Sequence, residues 1–165
     1  MGYFAFIVSK PYEEVLAGFR CTRPAPVARH EEIGRRLHTT VQAATADLPA
    51  MRLLPPRASV TVSPGNILCP DLAIVTAATN KLWLAAEIIN REDHRVDTVT
   101  KKEIYEHARI PRLWMVDPRY DNVEIYHTTQ YGLVLQGILA GKEALTEKLL
   151  PEFAVTMAEL FANAE

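Results

Sequence analysis

The segment Leu82-Trp-Leu-Ala-Ala-Glu-Ile-Ile89 decides the fold, because seven of its eight residues are apolar. A run of this kind is typical of a central strand that is buried on both faces of a sheet. Its single charged residue, Glu87, is costly to bury unless another group pairs with it. The segment therefore predicts a central strand, and it makes Glu87 a candidate functional carboxylate within that strand.

Further apolar runs predict the rest of the sheet. Strands are expected over residues 14–20 (turning at Gly18), 59–62, 71–75 and 112–116, and a hairpin over 123–127 and 133–139. Some of these strands are joined by tight turns, which suit antiparallel pairs, whereas strand 112–116 follows a predicted helix, which suits a parallel pair. The sheet is therefore expected to be mixed.

Helical periodicity predicts the elements that cover this sheet. A first helix is expected to begin near Arg29 and to end by Pro49, because apolar residues recur at helical spacing at Ile33, Leu37, Val41 and Ala44. A second helix is expected over 98–108, and a short third one over 156–161 begins with a capping box. The order of elements predicts an α/β fold, a mixed β-sheet flanked by helices.

Composition restricts the class of protein. The 165 residues predict a single domain over 1–165, and the net charge of −2 argues against a polybasic nucleic-acid coat or membrane anchor, though not against a local nucleic-acid site. Cys21 and Cys69 lack CxxC spacing, so neither a disulfide framework nor a cysteine zinc site is expected, and a reducing cytoplasm fits best. The apolar run 3–8 does not have the flanks of a signal peptide, and we expect no membrane span.

Two acids lie where acids are costly. Asp71 opens a strand directly after Pro70, and Glu87 interrupts the apolar segment. Residues two apart in a strand share a face, so neighbouring strands would bring Asp71 and Glu87 to one point. Two converging carboxylates attract a hard divalent cation, with Mg²⁺ favoured because it needs few protein ligands.

The second helix supplies a cation to these acids. Lys101 shares a helix face with Ile104, Tyr105 and Ala108, and this face is expected to turn toward the sheet. Asp97, four residues earlier, could pair with Lys101 or contact a second metal. An inward lysine above two acids is either a satisfied charge cluster or a hydrolytic site, in which the lysine orients water and stabilises charge on a phosphate.

The ordered set of motifs resembles the Uma family of restriction endonuclease-like proteins, in the PD-(D/E)XK nuclease superfamily, over about residues 12–162. The motifs that carry the resemblance are Glu14-Val-Leu-Ala-Gly18, His30, Pro70-Asp71, Glu87-Ile-Ile89, Asp97, Lys101-x-x-x-Tyr105, Ile110-Pro-Arg-Leu-Trp-Met-Val-Asp-Pro118, Leu150-Pro-Glu-Phe153 and Ala158-Glu-Leu-Phe161. The superfamily usually carries its lysine two residues after the acid, where this chain has Ile89. As is typical of the Uma family, Lys101 is expected to replace it.

This resemblance implies a restriction-endonuclease-like fold and Mg²⁺-dependent hydrolysis of phosphodiester bonds in nucleic acid, with Mn²⁺ able to substitute. Asp71 and Glu87, with the backbone carbonyl of Ile88, would be metal ligands, and Lys101 would be the catalytic lysine. Because cutting both DNA strands needs two sites, a homodimer is expected.

Several alternatives remain open at this stage. His30 could be a hydrogen-bonded core residue or an accessory contact to substrate or metal, and Tyr105 could pack or stack on a base. The domain could be a catalytically silent relative that binds nucleic acid or a protein partner, and RNA could replace DNA.

Overall fold

A computed structural model describes residues 9–163, and the apolar run 3–8 lies outside the described residues. Within this range the strands are β1 (Tyr12–Leu16), β2 (Phe19–Arg23), β3 (Met51–Leu53), β4 (Val60–Ser63), β5 (Asn66–Leu68), β6 (Leu72–Thr76), β7 (Leu82–Ile88), β8 (Arg112–Asp117), β9 (Asn122–Thr129), β10 (Gly132–Ala140), β11 (Ala144–Glu147) and β12 (Leu150–Thr156). The helices are α1 (Ala28–Thr45), α2 (Lys102–His107) and α3 (Met157–Leu160), and a π-helical segment, Val96–Lys101, leads directly into α2.

The central sheet has six strands in the order β10-β9-β8-β7-β6-β3. Strand β7 pairs parallel with β8, whereas the other neighbouring pairs are antiparallel. Parallel neighbours need a long crossover, and the π-helical segment with α2 provides it. All seven residues of β7 are buried, which confirms the central strand predicted from its apolar run.

Both faces of this sheet are covered. On one face, Ile33, Leu37 and Val41 of α1 pack in a core that includes Leu84 and Ile88 of β7. On the other face, Tyr105 of α2 packs in a second core that also contains Ala85 of β7. Because residues 84 and 85 point to opposite sides of the strand, β7 contributes to both cores, and the expected mixed α/β architecture is confirmed.

The hairpin of β1 and β2 belongs to a second sheet, in the order β2-β1-β5-β4. Its turn uses Ala17 and Gly18, both at positive φ, and the Gly18 N–H donates to the Gly65 carbonyl at 2.9 Å. Within β1, Glu14 and Leu16 are buried while Glu13 is exposed. This alternation points Glu14 into the protein, where its cross-strand neighbour on β2 is Cys21.

Several elements differ from the sequence-based expectation. The second helix begins at Val96 and has a π-helical first part, and four strands (β3, β5, β11 and β12) were not anticipated. Strands β3 and β5 have three residues each, too short for a period-two pattern. Strand β12 contains Pro151, which argues against a strand unless it lies at an edge, as it does in the two-stranded sheet of β11 and β12.

One further prediction, the capping box of the third helix, is confirmed. The capping box of α3 is present, with reciprocal hydrogen bonds between Thr156 and Glu159. Cys21 and Cys69 are free thiols. In the described part of the chain, no helix is long and apolar enough to cross a membrane.

Candidate active site

Asp71 lies at the end of β7 because of the register between β6 and β7. The pair Leu72 and Ala86 is the last in this ladder, so Asp71, one residue earlier, falls beside Glu87 and Ile88. The Ile88 N–H donates to Asp71 Oδ2 at 2.8 Å. The two strands that carry the acids are therefore neighbours, which is the condition under which Asp71 and Glu87 were expected to converge.

His30 reaches the same carboxylate from helix α1. Its Nε2 lies 2.8 Å from Asp71 Oδ1, and both side chains are buried. Burial alone would raise the pKa of Asp71, but the charge of His30 and the hydrogen bonds from His30 and Ile88 lower it to about 2. Of the two roles left open for His30, the structure supports a hydrogen-bonded one, directed at Asp71.

Glu87 is held by two groups from the crossover. The Lys101 ammonium lies 2.6 Å from Glu87 Oε1, and the Tyr105 hydroxyl donates to the same oxygen at 2.5 Å. Lys101 and Tyr105 are both fully buried, which confirms that their helix face turns toward the sheet. Tyr105 is therefore not exposed for stacking on a base; it positions Glu87 instead.

The protonation of Glu87 reflects an excess of acid around it. Burial raises the pKa of Glu87, and the neighbouring carboxylates of Asp97, Glu14 and Asp71 raise it further, to about 8. Lys101 opposes this shift. A carboxyl with such a raised pKa takes up a proton readily unless another cation compensates its charge.

Glu14 is a site residue that sequence reasoning missed. Its Oε2 lies 2.8 Å from Lys101 Nζ and accepts the Cys69 N–H at 2.7 Å, so Lys101 lies between Glu14 and Glu87. Burial raises the pKa of Glu14, but Lys101, with hydrogen bonds from Cys69 and Arg23, lowers it overall. The available signal was the strand alternation, which places Glu14 on the same inward face as Leu16.

Arg23 binds the remaining acids. Its side chain is 1% exposed, and its Nε, Nη1 and Nη2 each contact a different carboxylate. The partners are Asp93 Oδ2 at 2.6 Å, Glu14 Oε1 at 2.6 Å and Asp97 Oδ1 at 2.9 Å. No local sequence pattern predicts this burial, because Arg23 lies between Thr22 and Pro24 and not within a continuous apolar run.

Asp97 forms its ion pair with Arg23 rather than with Lys101, whose pairing was one of the two roles left open for Asp97. Asp97 is buried, and its other oxygen accepts the Asn90 N–H at 3.1 Å. The expectation assumed α-helical spacing between residues 97 and 101. These residues lie in the π-helical segment, whose i→i+5 hydrogen bonds widen the turn, so that residues four apart no longer stack along the axis.

The arrangement brings four buried carboxylates together with two buried, permanently charged side chains. The acids are Glu14, Asp71, Glu87 and Asp97, and the cations are Arg23 and Lys101. Within residues 9–163, no three His, Cys, Asp or Glu side chains are grouped so that they could hold a metal ion by themselves.

The class of protein follows from comparisons with known proteins. A family model described as "Uma2: Putative restriction endonuclease" matches residues 14–158, and the protein belongs to this family. It is also similar to a crystal structure described as a "putative nuclease belonging to DUF820" from Anabaena variabilis, with a TM-score of 0.74 and 13% identity. That match covers 92% of this chain and 90% of the other, and it supports the nuclease-like fold. The curated proteins give no match.

Neutralising Glu14 tests the buried ion network. We expect Glu14→Gln to lower the free energy of unfolding by about 3 kcal/mol, because it removes one partner of a buried ion pair. The neighbouring Glu13→Gln is the matched control, since Glu13 is exposed, and it should change stability by less than about 0.5 kcal/mol. Urea unfolding measures both, and equal effects would contradict the network.

Glu87→Gln tests the acid excess through pH. The pKa of Glu87 is raised from 4.5 in the unfolded chain to about 8 in the folded protein. The Glu87 side chain therefore stabilises the folded wild type below pH 4.5, and this stabilisation is lost as the pH rises toward 8. Glutamine does not titrate, so the free energy of unfolding of the variant minus that of the wild type should rise between pH 4.5 and 8. Glu14→Gln is the control of opposite sign, because the pKa of Glu14 is lowered in the folded protein. For this variant, the free energy of unfolding minus that of the wild type should rise as the pH falls below 4.5, and it should stay flat between pH 4.5 and 8. A difference for Glu87→Gln that stays flat from pH 4.5 to 8 would overturn the assignment.

Proposed function

We propose that this protein is an Mg²⁺-dependent endonuclease that hydrolyses phosphodiester bonds in DNA, with Lys101 as its catalytic lysine. Membership of the restriction endonuclease family supports the nuclease class. The observation that carries the proposal is the fully buried Lys101 ammonium, held 2.6 Å from Glu87 beside the end of β7 where Asp71 also lies. A lysine and two acids at one strand end form a site that can act on a phosphate.

The residues present fit a divalent cation. Burial and the neighbouring carboxylates raise the pKa of Glu87 to about 8, so a further cation beside this side chain would stabilise its ionised form. Among the described residues, Lys101 and Tyr105 both contact Glu87 through Oε1, so Oε2 is the oxygen that would bind another ligand. Asp71, Glu87 and the Ile88 carbonyl would hold Mg²⁺, or Mn²⁺ in its place. When bound, the ion would lower the pKa of a coordinated water and polarise the phosphate.

The protein's own groups would prepare the reaction. The Lys101 ammonium would orient the attacking water and stabilise negative charge that grows on the phosphate. Glu14 and Glu87 fix this ammonium from two sides, since it lies 2.8 Å and 2.6 Å from their oxygens. His30 and Tyr105 would act as positioning residues, because each donates to one of the two proposed ligands, Asp71 and Glu87.

The low net charge restricts how DNA would bind. With 18 basic and 20 acidic side chains, the protein has no general excess of positive charge for the phosphate backbone. Binding without a metal should therefore be weak and strongly salt-dependent. We place the protein in the cytoplasm, where thiols such as Cys21 and Cys69 stay reduced.

Cleavage of supercoiled plasmid tests the proposed activity. The wild type with Mg²⁺ or Mn²⁺ should convert it to nicked or linear DNA, and EDTA should stop the reaction. Lys101→Ala and Asp71→Asn should each lower the rate by about 10²- to 10³-fold, because they remove charge stabilisation or a metal ligand. Lys102→Ala is the matched control, since this half-exposed lysine contacts Tyr126 rather than the site, and it should cut like the wild type.

The variants distinguish this site from other sources of nicking. Equal cleavage by the wild type, Lys101→Ala and Asp71→Asn would sink the proposal and point to a contaminating nuclease. If the protein cleaved members of an RNA panel and left DNA intact, the substrate would be RNA rather than DNA.

The expected homodimer is tested by size-exclusion chromatography with light scattering. An 18.5 kDa domain carries one such site, and cutting both strands requires two, so the complex on duplex DNA should have two protein chains. A single chain per duplex under conditions of double-strand cleavage would rule the homodimer out.

A further inference from the structure

Arg57 lies next to the candidate site without being part of its buried network. Its Nη1 is 3.5 Å from Asp71 Oδ1, and its side chain is 23% exposed against 5% for Asp71. The guanidinium also lies 5.9 Å from the centre of the Tyr12 ring. Arg57 therefore occupies the border between the buried acids and solvent.

The backbone holds Arg57 firmly in this place. Arg57 has a φ of +55°, a left-handed conformation that is unfavourable for a residue with a side chain. Its N–H donates to the carbonyl of Pro70, immediately before Asp71, at 3.1 Å. The loop that carries Arg57 is thus tied to the strand end that carries Asp71.

Glu31 of helix α1 fixes the orientation of the guanidinium. Its two carboxylate oxygens accept from Arg57 Nη1 and Nη2 at 2.7 and 2.8 Å, a two-point contact. Among residues 9–163, no acceptor bonds to the Arg57 Nε–H. One edge of the guanidinium is therefore anchored, and a donor remains for another anion.

Comparison with Arg23 shows why this arrangement differs from a structural ion pair. Arg23 is 1% exposed, and each of its three nitrogens contacts a carboxylate, so its donors are used within the protein. Arg57 is partly exposed, its Nη1 lies near Asp71, and its Nε–H has no acceptor among residues 9–163. A fixed, partly exposed guanidinium is the group that proteins use to bind phosphate oxygens.

We propose that Arg57 is a substrate-binding residue that contacts a backbone phosphate of the nucleic acid next to Asp71. The inference rests on the proposed function, which supplies the phosphodiester substrate. Its contact is made through the guanidinium and does not depend on the base sequence, because a phosphate contact positions the duplex without reading it.

Equilibrium binding of a fluorescein-labelled DNA duplex tests this assignment by anisotropy, with Ca²⁺ in place of Mg²⁺ and a series of salt concentrations. Arg57→Gln should weaken binding about tenfold and reduce the slope of log K against log[salt] by about 1, because one phosphate contact is lost. Arg52→Gln is the matched control, since Arg52 is exposed in β3 and bonds to Asn80. It should leave both the affinity and the slope unchanged.

Two further variants separate phosphate binding from a purely structural role. Glu31→Gln disturbs the anchor but keeps the charge of Arg57, so it should retain the salt slope. Arg57→Lys should also keep the slope while losing part of the affinity, and it serves if Arg57→Gln proves unfolded by circular dichroism. The inference would be overturned if Glu31→Gln and Arg57→Gln lost the same amount of salt slope. It would also be overturned if neither Arg57→Gln nor Arg57→Lys bound DNA more weakly than the wild type.

The outcomes also distinguish this inference from the proposed activity. Plasmid cleavage by the wild type with unchanged DNA binding by Arg57→Gln refutes the role of Arg57 alone. Salt-dependent binding that requires Arg57, without any cleavage by the wild type, refutes the nuclease activity and supports the phosphate contact.

Discussion

The burial of the Lys101 ammonium constrains the rest of the structure. A fully buried ammonium is tolerated only when nearby carboxylates compensate its lost hydration, and Glu14 and Glu87 do so from two different sheets. Glu14 in turn contacts Arg23, which binds Asp97 at the start of the same crossover. The β1–β2 hairpin, the central strand and the crossover are therefore joined through charge as well as through apolar packing.

The two proposed metal ligands are supported from opposite faces of the central sheet. His30 reaches Asp71 from α1, whose apolar side chains pack on one face, whereas Tyr105 reaches Glu87 from the helix on the other face. The Ile88 N–H links the two groups at the end of β7. Both cores thus meet at this point, and a disturbance of either core would be transmitted to the position of the acids.

Much of the fold could be predicted because its signals are local. The apolar run of β7, the helical stripe of α1 and the capping box of α3 each specify their element through nearby residues. The four unanticipated strands lack such a signal, since two are three residues long and β12 contains a proline. Whether these segments form strands depends on the partner strands that they meet as the chain folds.

For the site, the sequence by itself determined that Glu87 is a buried acid and that Lys101 and Tyr105 turn inward, because strand and helix periodicity specify which face a side chain takes. Only the tertiary structure decided the partners. It placed Glu14 against Lys101, Arg23 against Asp97, and Arg57 beside Asp71, across separations of 14 to 87 residues along the chain. Periodicity indicates the direction of a side chain, whereas the contact it makes depends on the register of strands and on the π-helical turn.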